Sequence, residues 1–256
     1  MRRQVTVVIP IHLEEPTALE KISLSQTLAV LGKYPITFQT KGNLKVTWYE
    51  EFCRGKASIS FERFDWKNLK EYTELMLNPD FYQRFSSYKY ILICHLDAFV
   101  FRDELEKWCS HDFDYVGSVI YNTRWVDLPT RAGKMLGLKM PDYFANGGFG
   151  LRKVGSFIKL TKSYNIKFKR FAYTLNKSFF QDDLFLSQLF PTLGDNFKLP
   201  SKELAQQFGA AFEHWDEKDL PFGKNDCAAL PFGVHGWFNY NEEFWKPCIR
   251  KLGYPV

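Results

Sequence analysis

Four short stretches of this sequence carry side chains that can do chemistry, and the first contains Asp97. Residues Tyr90–Phe101 read Tyr-Ile-Leu-Ile-Cys-His-Leu-Asp-Ala-Phe-Val-Phe, so one carboxylate interrupts an apolar run. A run like Tyr90–Leu96 is typical of a strand that is buried on both faces of a parallel sheet. An ionised carboxylate at the end of such a strand is costly to desolvate unless something binds it. Ligands of open α/β sheets lie just beyond the carboxyl ends of the strands, so we expect Asp97 at a ligand crevice.

Asp97 also has a structural alternative, because aspartate is a preferred N-cap residue of helices. A short helix is expected at Glu104–Cys109, and Asp103 is better placed than Asp97 to cap it. The ligand interpretation of Asp97 is therefore favoured over the capping interpretation.

The second stretch, Asn146–Arg152, reads Asn-Gly-Gly-Phe-Gly-Leu-Arg. Adjacent glycines such as Gly147 and Gly148 allow the backbone to approach a ligand closely and to adopt positive φ angles. A tight turn that leads into a strand is the structural alternative for the same residues. The stretch is neither a P-loop, which continues as Gly-Lys-Ser/Thr, nor a Gly-x-Gly-x-x-Gly fingerprint, whose spacing differs.

The third stretch is the adjacent carboxylate pair Asp182 and Asp183, at the start of an apolar-rich segment. A carboxylate in a cleft can act as a general base on a hydroxyl group. Carboxylates are equally at home in the first turn of a helix, where the helix dipole stabilises them. Neighbouring side chains on a helix point in different directions, so one of the pair would face the site and the other would support it.

The fourth stretch, His235-Gly-Trp, follows a short apolar run. An imidazole in this position can ligate a metal ion or contact a diphosphate. A lone histidine is more often a satisfied core or surface residue, but Gly236 frees the backbone beside it and Trp237 can shield or stack. His12, after the first predicted strand, and His95, inside the apolar run, give weaker signals.

The elements that must position these residues alternate along the chain and predict an α/β fold with a mostly parallel central sheet flanked by helices. The expected strands are Val5–Ile11, Leu44–Tyr49, Ile59–Phe64, Tyr90–Leu96, Tyr115–Ile120 and Phe197–Leu199. The expected helices are Thr17–Gly32, Lys67–Leu77, Glu104–Cys109 and Val154–Tyr164. The less regular region Asn122–Tyr143 is a candidate loop over the site.

Composition excludes several classes of protein. The chain has 256 residues, 45% of them hydrophobic, which predicts a single domain with a sizeable core. The formal charge of +5 comes from scattered basic residues, so a dedicated nucleic-acid binder is not expected. No apolar run is long enough for a membrane span, and no signal peptide is predicted. The aromatic and basic segment Phe244–Leu252 is a candidate peripheral contact with a membrane, although packing against the core is favoured.

The five cysteines are odd in number and widely spaced, without a Cys-x-x-Cys pair. This pattern argues against a disulfide framework and against a zinc ribbon. Cys94, inside the buried run, is expected to be a small apolar core residue. Reduced thiols favour a cytoplasmic location, and peripheral binding at the inner face of the membrane is compatible with it.

Taken in order, the motifs resemble a family found in bacteria, viruses and fungi that is described as a domain of unknown function and grouped with the GT-A glycosyltransferases. They are Val-Ile-Pro-Ile-His, Ile-Leu-Ile-Cys-His-Leu-Asp-Ala-Phe-Val-Phe, Asn-Gly-Gly-Phe-Gly-Leu-Arg, Gln-Asp-Asp and Pro-Phe-Gly-Val-His-Gly-Trp. The similarity extends from Val5 to Trp237. It implies a Rossmann-like GT-A domain that binds a nucleotide-sugar at the carboxyl ends of the strands.

The resemblance also implies roles for individual residues. The loop after the first strand, with Pro10, Ile11 and His12, would hold the base and ribose of the donor. Further donor-binding residues would be Asp97, Asn146, Gly147, Gly148 and Arg152. Asp182 or Asp183 would be the acidic residue near the acceptor hydroxyl.

A divalent metal is implied in the same way, held by Asp97 and His235. Asp97 would take the first acidic position of an Asp-x-Asp element, but Phe99 replaces the second aspartate. Bound Mn²⁺ or Mg²⁺ is favoured, with the diphosphate supplying further oxygen ligands. The alternative is a metal-free enzyme, in which basic side chains neutralise the diphosphate. The candidates for that role are Arg124, Arg131, Lys134 and Arg152.

The sequence thus predicts a glycosyltransferase that moves a hexosyl group from a nucleotide diphosphate sugar, with a UDP-sugar favoured, to a hydroxyl of a glycan or lipid-linked acceptor in polysaccharide biosynthesis. The nucleotide part would span about residues 1–120 and the acceptor part about 121–256. Inversion and retention at the anomeric carbon both remain open. One alternative is a nucleotidyltransferase, against which the glycine-free sequence His12-Leu-Glu-Glu-Pro after the first strand counts. A non-catalytic glycan-binding module is the other.

Overall fold

Strands form where β-branched and aromatic residues cluster, and they assemble into one curled sheet. The structure, a computed structural model, describes residues 3–121, 135, 141–167, 185–193, 196–212, 222 and 226–256. Within these residues the strands are β1 Arg3–Ile11, β2 Ile36–Lys41, β3 Ile59–Phe64, β4 Tyr88–Cys94, β5 Phe99–Val100, β6 Tyr115–Tyr121, β7 Ala145–Lys153, β8 Gly209–Phe212 and β9 Gly233–His235.

Helices cover both faces of this sheet. They are α1 Ala18–Leu31, α2 Thr47–Cys53, α3 Leu69–Met76, α4 Pro79–Arg84, α5 Leu105–Ser110, α6 Val154–Lys167, a π-helical turn Phe185–Leu189 that runs into α7 Phe190–Leu193, α8 Lys202–Phe208 and α9 Glu242–Lys251. The first helix begins with a capping box, in which the backbone N–H of Thr17 donates to Glu20 Oε2 at 2.8 Å and the N–H of Glu20 donates to Thr17 Oγ1 at 3.4 Å.

The sheet has the strand order β3-β2-β1-β4-β7-β6-β8-β9-β5. Neighbours pair in parallel from β3 to β4 and again from β6 to β9. Antiparallel pairing is confined to β4–β7, β7–β6 and β9–β5. The predicted α/β class with a mostly parallel sheet flanked by helices is therefore confirmed.

Alternating residues of β1 feed two cores, one on each face of the sheet. Val7 and Ile9 pack with Leu24 of α1 on one face. Val8 packs with Phe81 of α4 and with Ile93 of β4 on the other face. The carboxyl ends of β2, β1 and β4 lie side by side, which places the loops that follow them at one edge.

Two expected strands are wrong. The second half of Leu44–Tyr49 belongs to helix α2, whose buried side chains Tyr49 and Cys53 are spaced one helical turn apart, and the first half lies in no regular element. The β-branched and aromatic residues of this segment have the local preferences of a strand. The second strand is instead β2, which lies earlier in the chain. Phe197–Leu199 forms no strand, because the backbone N–H of Lys198 donates to the side-chain Oδ2 of Asp114 at 2.7 Å, and only its carbonyl, which accepts the N–H of Asp114 at 2.9 Å, makes a backbone bond.

Two cysteines are paired, contrary to the expectation of reduced thiols. A disulfide joins Cys227 and Cys248, whose Cα atoms are 5.5 Å apart, and so ties the segment before β9 to helix α9. The wide sequence spacing hid this pair, and the cytoplasmic expectation loses the support it drew from the thiols. Cys94 is a buried free thiol, as predicted.

Helix α9 turns its apolar side chains inward, with Trp245 and Ile249 buried, so the packing alternative for this segment is confirmed. None of the helices in the described part of the chain has the length and apolar character that a membrane crossing requires.

Candidate functional site

Strand β4 ends in a tight turn that carries Asp97. The backbone N–H of Ala98 donates to the carbonyl of His95 at 3.0 Å, and β5 starts at the next residue. The carboxylate therefore follows the end of a buried strand, as the sequence predicts. The capping alternative is wrong, because Asp103 Oδ1 accepts from the first backbone N–H of α5, that of Leu105, at 3.1 Å.

Three side chains meet at this turn, of which His95 and Asp97 come from the turn itself and His235 comes from β9. His235, the last residue of β9, places Nε2 3.2 Å from Asp97 Oδ1. One ligand atom from each of His95, Asp97 and His235 lies within 4.8 Å of the others, which is close enough for a single metal ion. We call these three residues the triad. Two imidazoles and a carboxylate form a donor set that suits a divalent transition metal such as Mn²⁺ better than Mg²⁺, which prefers oxygen.

Asp97 is held in place by the segment that follows β9. Asn239 Nδ2 donates to Asp97 Oδ2 at 2.7 Å, and the backbone N–H of Trp237 donates to the carbonyl of Asp97 at 3.1 Å. The indole N–H of Trp237 in turn donates to Ser23 Oγ of α1 at 2.8 Å. Gly236 lies between these contacts with φ +70°, a conformation that favours glycine. The Gly-Trp pair after His235 thus has a structural role beside the triad.

The double glycine packs directly against the triad. A Cβ atom on Gly148 would lie 2.1 Å from His235 Nε2, so no larger residue fits without displacing that imidazole. The carbonyl of Gly148 accepts from the backbone N–H of His95 at 2.8 Å, and its N–H donates to Asn146 Oδ1 at 2.7 Å. The pairing of β7 with β6 shifts register at this place, between Gly117 and Ser118. This irregularity brings the glycines to the triad.

Arg152, which the resemblance assigned to donor binding, lies in the core and not at the cavity. Its side chain is buried and donates to Tyr82 Oη at 2.8 Å and to the Gly147 carbonyl at 3.3 Å. The guanidinium also stacks over Phe157, with 5.7 Å between its carbon and the ring centroid. Arg152 therefore supports the glycine segment from the core and is not among the described residues that line the cavity.

Burial and mutual contacts within the triad shift the pKa values of His95 and Asp97. Burial lowers the pKa of His95 to about 3, helped by the adjacent His235, so this imidazole is neutral and available as a ligand at pH 7. Burial alone would raise the pKa of Asp97, but the electrostatic interaction and hydrogen bond with His235 outweigh it and hold the pKa below its ordinary value. Asp97 is accordingly ionised at neutral pH.

Helix α3 forms one wall of the site. Tyr72 Oη lies 3.0 Å from His95 Nε2, and its ring meets the imidazole edge-on. The ring of Trp66, just before the helix, meets Tyr72 edge-on at 5.9 Å between centroids. The α3 wall therefore fixes the orientation of a triad imidazole.

A cavity of about 500 Å³ opens at the carboxyl ends of β2, β1 and β4, a size typical of small-molecule sites. The predicted residues Pro10, Ile11, His12 and Asp97 line it together with His95. The remaining lining residues are Glu20, Lys41, Trp66, Lys67, Asn68, Leu69, Tyr72, Leu96, Phe238 and Asn239.

Some sequence-predicted residues fall outside the described residues: Asp182, Asp183, Arg124, Arg131 and Lys134.

Sequence reasoning gave too little weight to His95, and it missed Tyr72 and Asn239 altogether. For His95 the available signal was its position two residues before Asp97, since residues i and i+2 face the same side of an extended chain. Phe99, which occupies the expected second acidic position, is instead a fully buried strand residue.

The family model described as protein of unknown function (DUF5672) matches residues 58–235, which include all three triad residues. The chain belongs to this family. No curated protein sequence matches the DUF5672 chain.

Solved glycosyltransferase structures share the fold of this DUF5672 protein. Mouse xyloside xylosyltransferase 1 in its apo form superposes with a TM-score of 0.57 at 9% identity, covering 91% of this chain and 97% of that one. The apo structure of the WbbM bifunctional glycosyltransferase gives 0.53 at 14% identity, over 91% of this chain and 45% of that one. Core-mannan synthase A from Aspergillus fumigatus, in its Mn/GDP form, gives 0.48 at 12% identity over 75% and 69%. The two superpositions with TM-scores above 0.5 show that the DUF5672 chain has a GT-A glycosyltransferase fold.

Proposed function

We propose that this DUF5672 protein is a metal-dependent glycosyltransferase. It transfers a hexosyl group from a nucleotide diphosphate sugar, with a UDP-sugar favoured, to a hydroxyl of a glycan or lipid-linked acceptor in polysaccharide biosynthesis. The observation that carries the proposal is the triad of His95, Asp97 and His235, of which His95 and Asp97 line a cavity of about 500 Å³ at the carboxyl ends of the strands. In an open α/β sheet this edge is where ligands bind.

The triad fits a divalent metal, since its three ligand atoms lie within 4.8 Å of one another and one of them is an ionised carboxylate. Asp97, His95 and His235 would hold the ion. When bound, such an ion neutralises the negative charge that builds up on the departing diphosphate. Asn239 and Tyr72 keep Asp97 and His95 in the orientation that this task needs.

In this proposal the donor nucleotide extends from the end of β4 across the end of β1 along the cavity. Pro10, Ile11 and His12 line the cavity where the base and ribose would rest. The cavity walls come mainly from the first 100 residues, in keeping with a nucleotide-binding part at about residues 1–120 and an acceptor part at about 121–256.

The acceptor side of the proposal rests on sequence. Asp182 or Asp183 would take the proton of the acceptor hydroxyl if the reaction inverts the anomeric carbon. If the reaction retains the configuration, the same carboxylate would steady the positive charge that develops on the sugar ring. The Asn146–Gly148 segment lies beside the triad and so borders the place where the donor sugar would sit.

Calorimetric titration with UDP and GDP, with and without Mn²⁺, tests the proposal. We expect one of the two diphosphates to bind tightly only in the presence of Mn²⁺, and Asp97→Asn to weaken that binding at least about tenfold. Asp80→Asn, a change at an exposed residue outside the cavity, is the matched control.

Hydrolysis or transfer assays with the matching nucleotide-sugars then identify the hexose. Binding of free glycans without any response to nucleotides would contradict the proposal and favour a glycan-binding module.

A further inference from the structure

We infer that Lys41 and Lys67 read the base of the donor nucleotide at the end of the cavity opposite the triad. Their ammonium groups select bases with a carbonyl oxygen on the exposed edge, uracil or guanine, over cytosine and adenine. The inference deepens the proposed function and rests on it.

The positions of the two lysines follow from the sheet. Lys41 ends β2 and pairs in register with Phe64, the last residue of β3, and Lys67 follows three residues later. The triad residues His95 and Asp97 follow β4, on the other side of β1. Strands in a sheet lie about 4.8 Å apart, so β2 and β4 are separated by about 10 Å. A diphosphate held at the triad would leave room for its ribose and base to extend across the end of β1 to the part of the cavity lined by Lys41 and Lys67, which we call the lysine corner.

Among the residues that the structure describes, no ion pair neutralises the charges at this corner. In the part of the chain that the structure describes, neither Lys41 nor Lys67 forms an ion pair, whereas Lys33 pairs with Asp103 at 2.7 Å. The cavity has a further carboxylate in Glu20, but its Oε2 accepts the backbone N–H of Thr17. Two ammonium groups that line a cavity without an acidic partner favour an acceptor-rich ligand.

A buried amide lies close to the same corner. Gln39 precedes Lys41 by two residues and so lies on the same face of β2, opposite the cavity residue Pro10. Its side chain is fully buried, and neither Nε2 nor Oε1 has a hydrogen-bond partner among the described residues. An unpaired buried amide is costly, but Gln39 is not among the residues that line the cavity, so the inference rests on the two lysines and not on this amide. Trp66 adds an aromatic surface on which a base can stack.

The selectivity follows from hydrogen-bond chemistry. A lysine ammonium only donates, so it needs an acceptor on the base edge. Uracil O4 and guanine O6 are acceptors, whereas cytosine N4 and adenine N6 carry amino hydrogens that would face the ammonium groups donor to donor. The ribose and the diphosphate are common to all four nucleotides and cannot account for a difference among them.

Calorimetric titration of the full chain with UDP, GDP, CDP and ADP, each with Mn²⁺, tests the inference. We expect UDP or GDP to bind at least about tenfold more tightly than CDP and ADP. Lys41→Met and Lys67→Met should each reduce this ratio, while Lys41→Arg, which keeps a cationic donor, should retain most of it. Lys45→Met, at an exposed residue outside the cavity, is the matched control and should leave the ratio unchanged.

Three outcomes would overturn the inference. Equal binding of all four nucleotides leaves the proposed function intact but removes base selection. A uniform weakening of all four in Lys41→Met shows that the lysines contact the diphosphate instead. Absence of binding by every nucleotide with Mn²⁺ contradicts the proposed function itself, and the base inference with it.

Discussion

Phe99 pairs with Val234, and this pairing of β5 with β9 brings the triad together. Asp97 lies two residues before Phe99, and His235 directly follows Val234, so the antiparallel register delivers the carboxylate to the imidazole. The same pairing explains why position 99 carries no aspartate, because this residue is a buried part of strand β5. The spacing of an Asp-x-Asp element, with one residue between the two metal ligands, is reproduced instead by His95 and Asp97.

The contact between Gly148 and His235 predicts a strong effect of a single methyl group. Gly148→Ala would place Cβ 2.1 Å from Nε2 and force the imidazole away from Asp97. We expect Mn²⁺ affinity to fall at least about tenfold and the free energy of unfolding to drop by about 1–3 kcal/mol. Calorimetry and urea denaturation measure the two effects. Gly42→Ala, whose Cβ would meet only the end of the Asp65 side chain at 3.1 Å, should have far less effect on Mn²⁺.

Tyr72→Phe isolates the hydrogen bond to His95. The ring and its packing remain, but Oη no longer fixes the imidazole. We predict a loss of about tenfold in Mn²⁺ affinity with a change of only about 1 kcal/mol in folding stability. Tyr88→Phe removes an exposed hydroxyl whose partner is Arg3 and serves as the control. Unchanged Mn²⁺ affinity in Tyr72→Phe would show that the tyrosine does not act on the metal ligand.

The neutral state of His95 predicts a pH dependence of stability in the metal-free protein. Its folded pKa of about 3 lies below the unfolded value of 6.5, so the unfolded state binds more protons between these limits. Stability is therefore lost as the pH falls from 6.5 towards 3, and the His95 contribution amounts to about 2 kcal/mol between pH 7 and pH 5. Asp97 does not contribute to the change in stability between pH 7 and pH 5, because its pKa lies below pH 5 in both the folded and the unfolded state.

Urea denaturation of the wild type and of His95→Gln in the presence of a chelator measures this contribution. The difference between their free energies of unfolding should change by about 2 kcal/mol between pH 7 and pH 5. His111→Gln, at an exposed histidine, should run parallel to the wild type. Equal pH slopes for His95→Gln and the wild type would contradict the assignment of a neutral buried imidazole.

The Cys227–Cys248 disulfide predicts sensitivity to reducing agents. It closes a loop with a sequence separation of 21 residues, for which chain entropy gives a stabilisation of about 3 kcal/mol. Dithiothreitol should lower the melting temperature of the wild type, and the double variant Cys227→Ser/Cys248→Ser should melt at the reduced temperature with or without it. If the melting temperature of the wild type is the same with and without dithiothreitol, the disulfide does not form.

Residue chemistry singled out Asp97, Gly148 and His235, which the structure brings together in the candidate site, because these residues are unusual in their apolar surroundings. The register shift of β7 was not predictable, since nothing in Asn146–Arg152 distinguishes an irregular strand from a turn. For the same reason Arg152 was expected on the donor, whereas its strand position turns it into the core towards Tyr82.

Long-range pairing set the other limits. His95 was underrated because its partner, His235, arrives through pairing between β5 and β9 that local periodicity does not encode. Segment Leu44–Tyr49 was misread because a short helix rich in β-branched and aromatic residues has the local preferences of a strand. Tertiary burial, not propensity, decides such cases.

The five residues from His235 to Asn239 supply a triad imidazole, a backbone bond to Asp97 and the amide that orients its carboxylate. During synthesis, β1 to β4 leave the ribosome before this segment, at a stage when the triad has one imidazole and a carboxylate that lacks its Asn239 partner. Only when this late segment emerges is the third ligand delivered. The complete triad therefore cannot form before β9 has been translated.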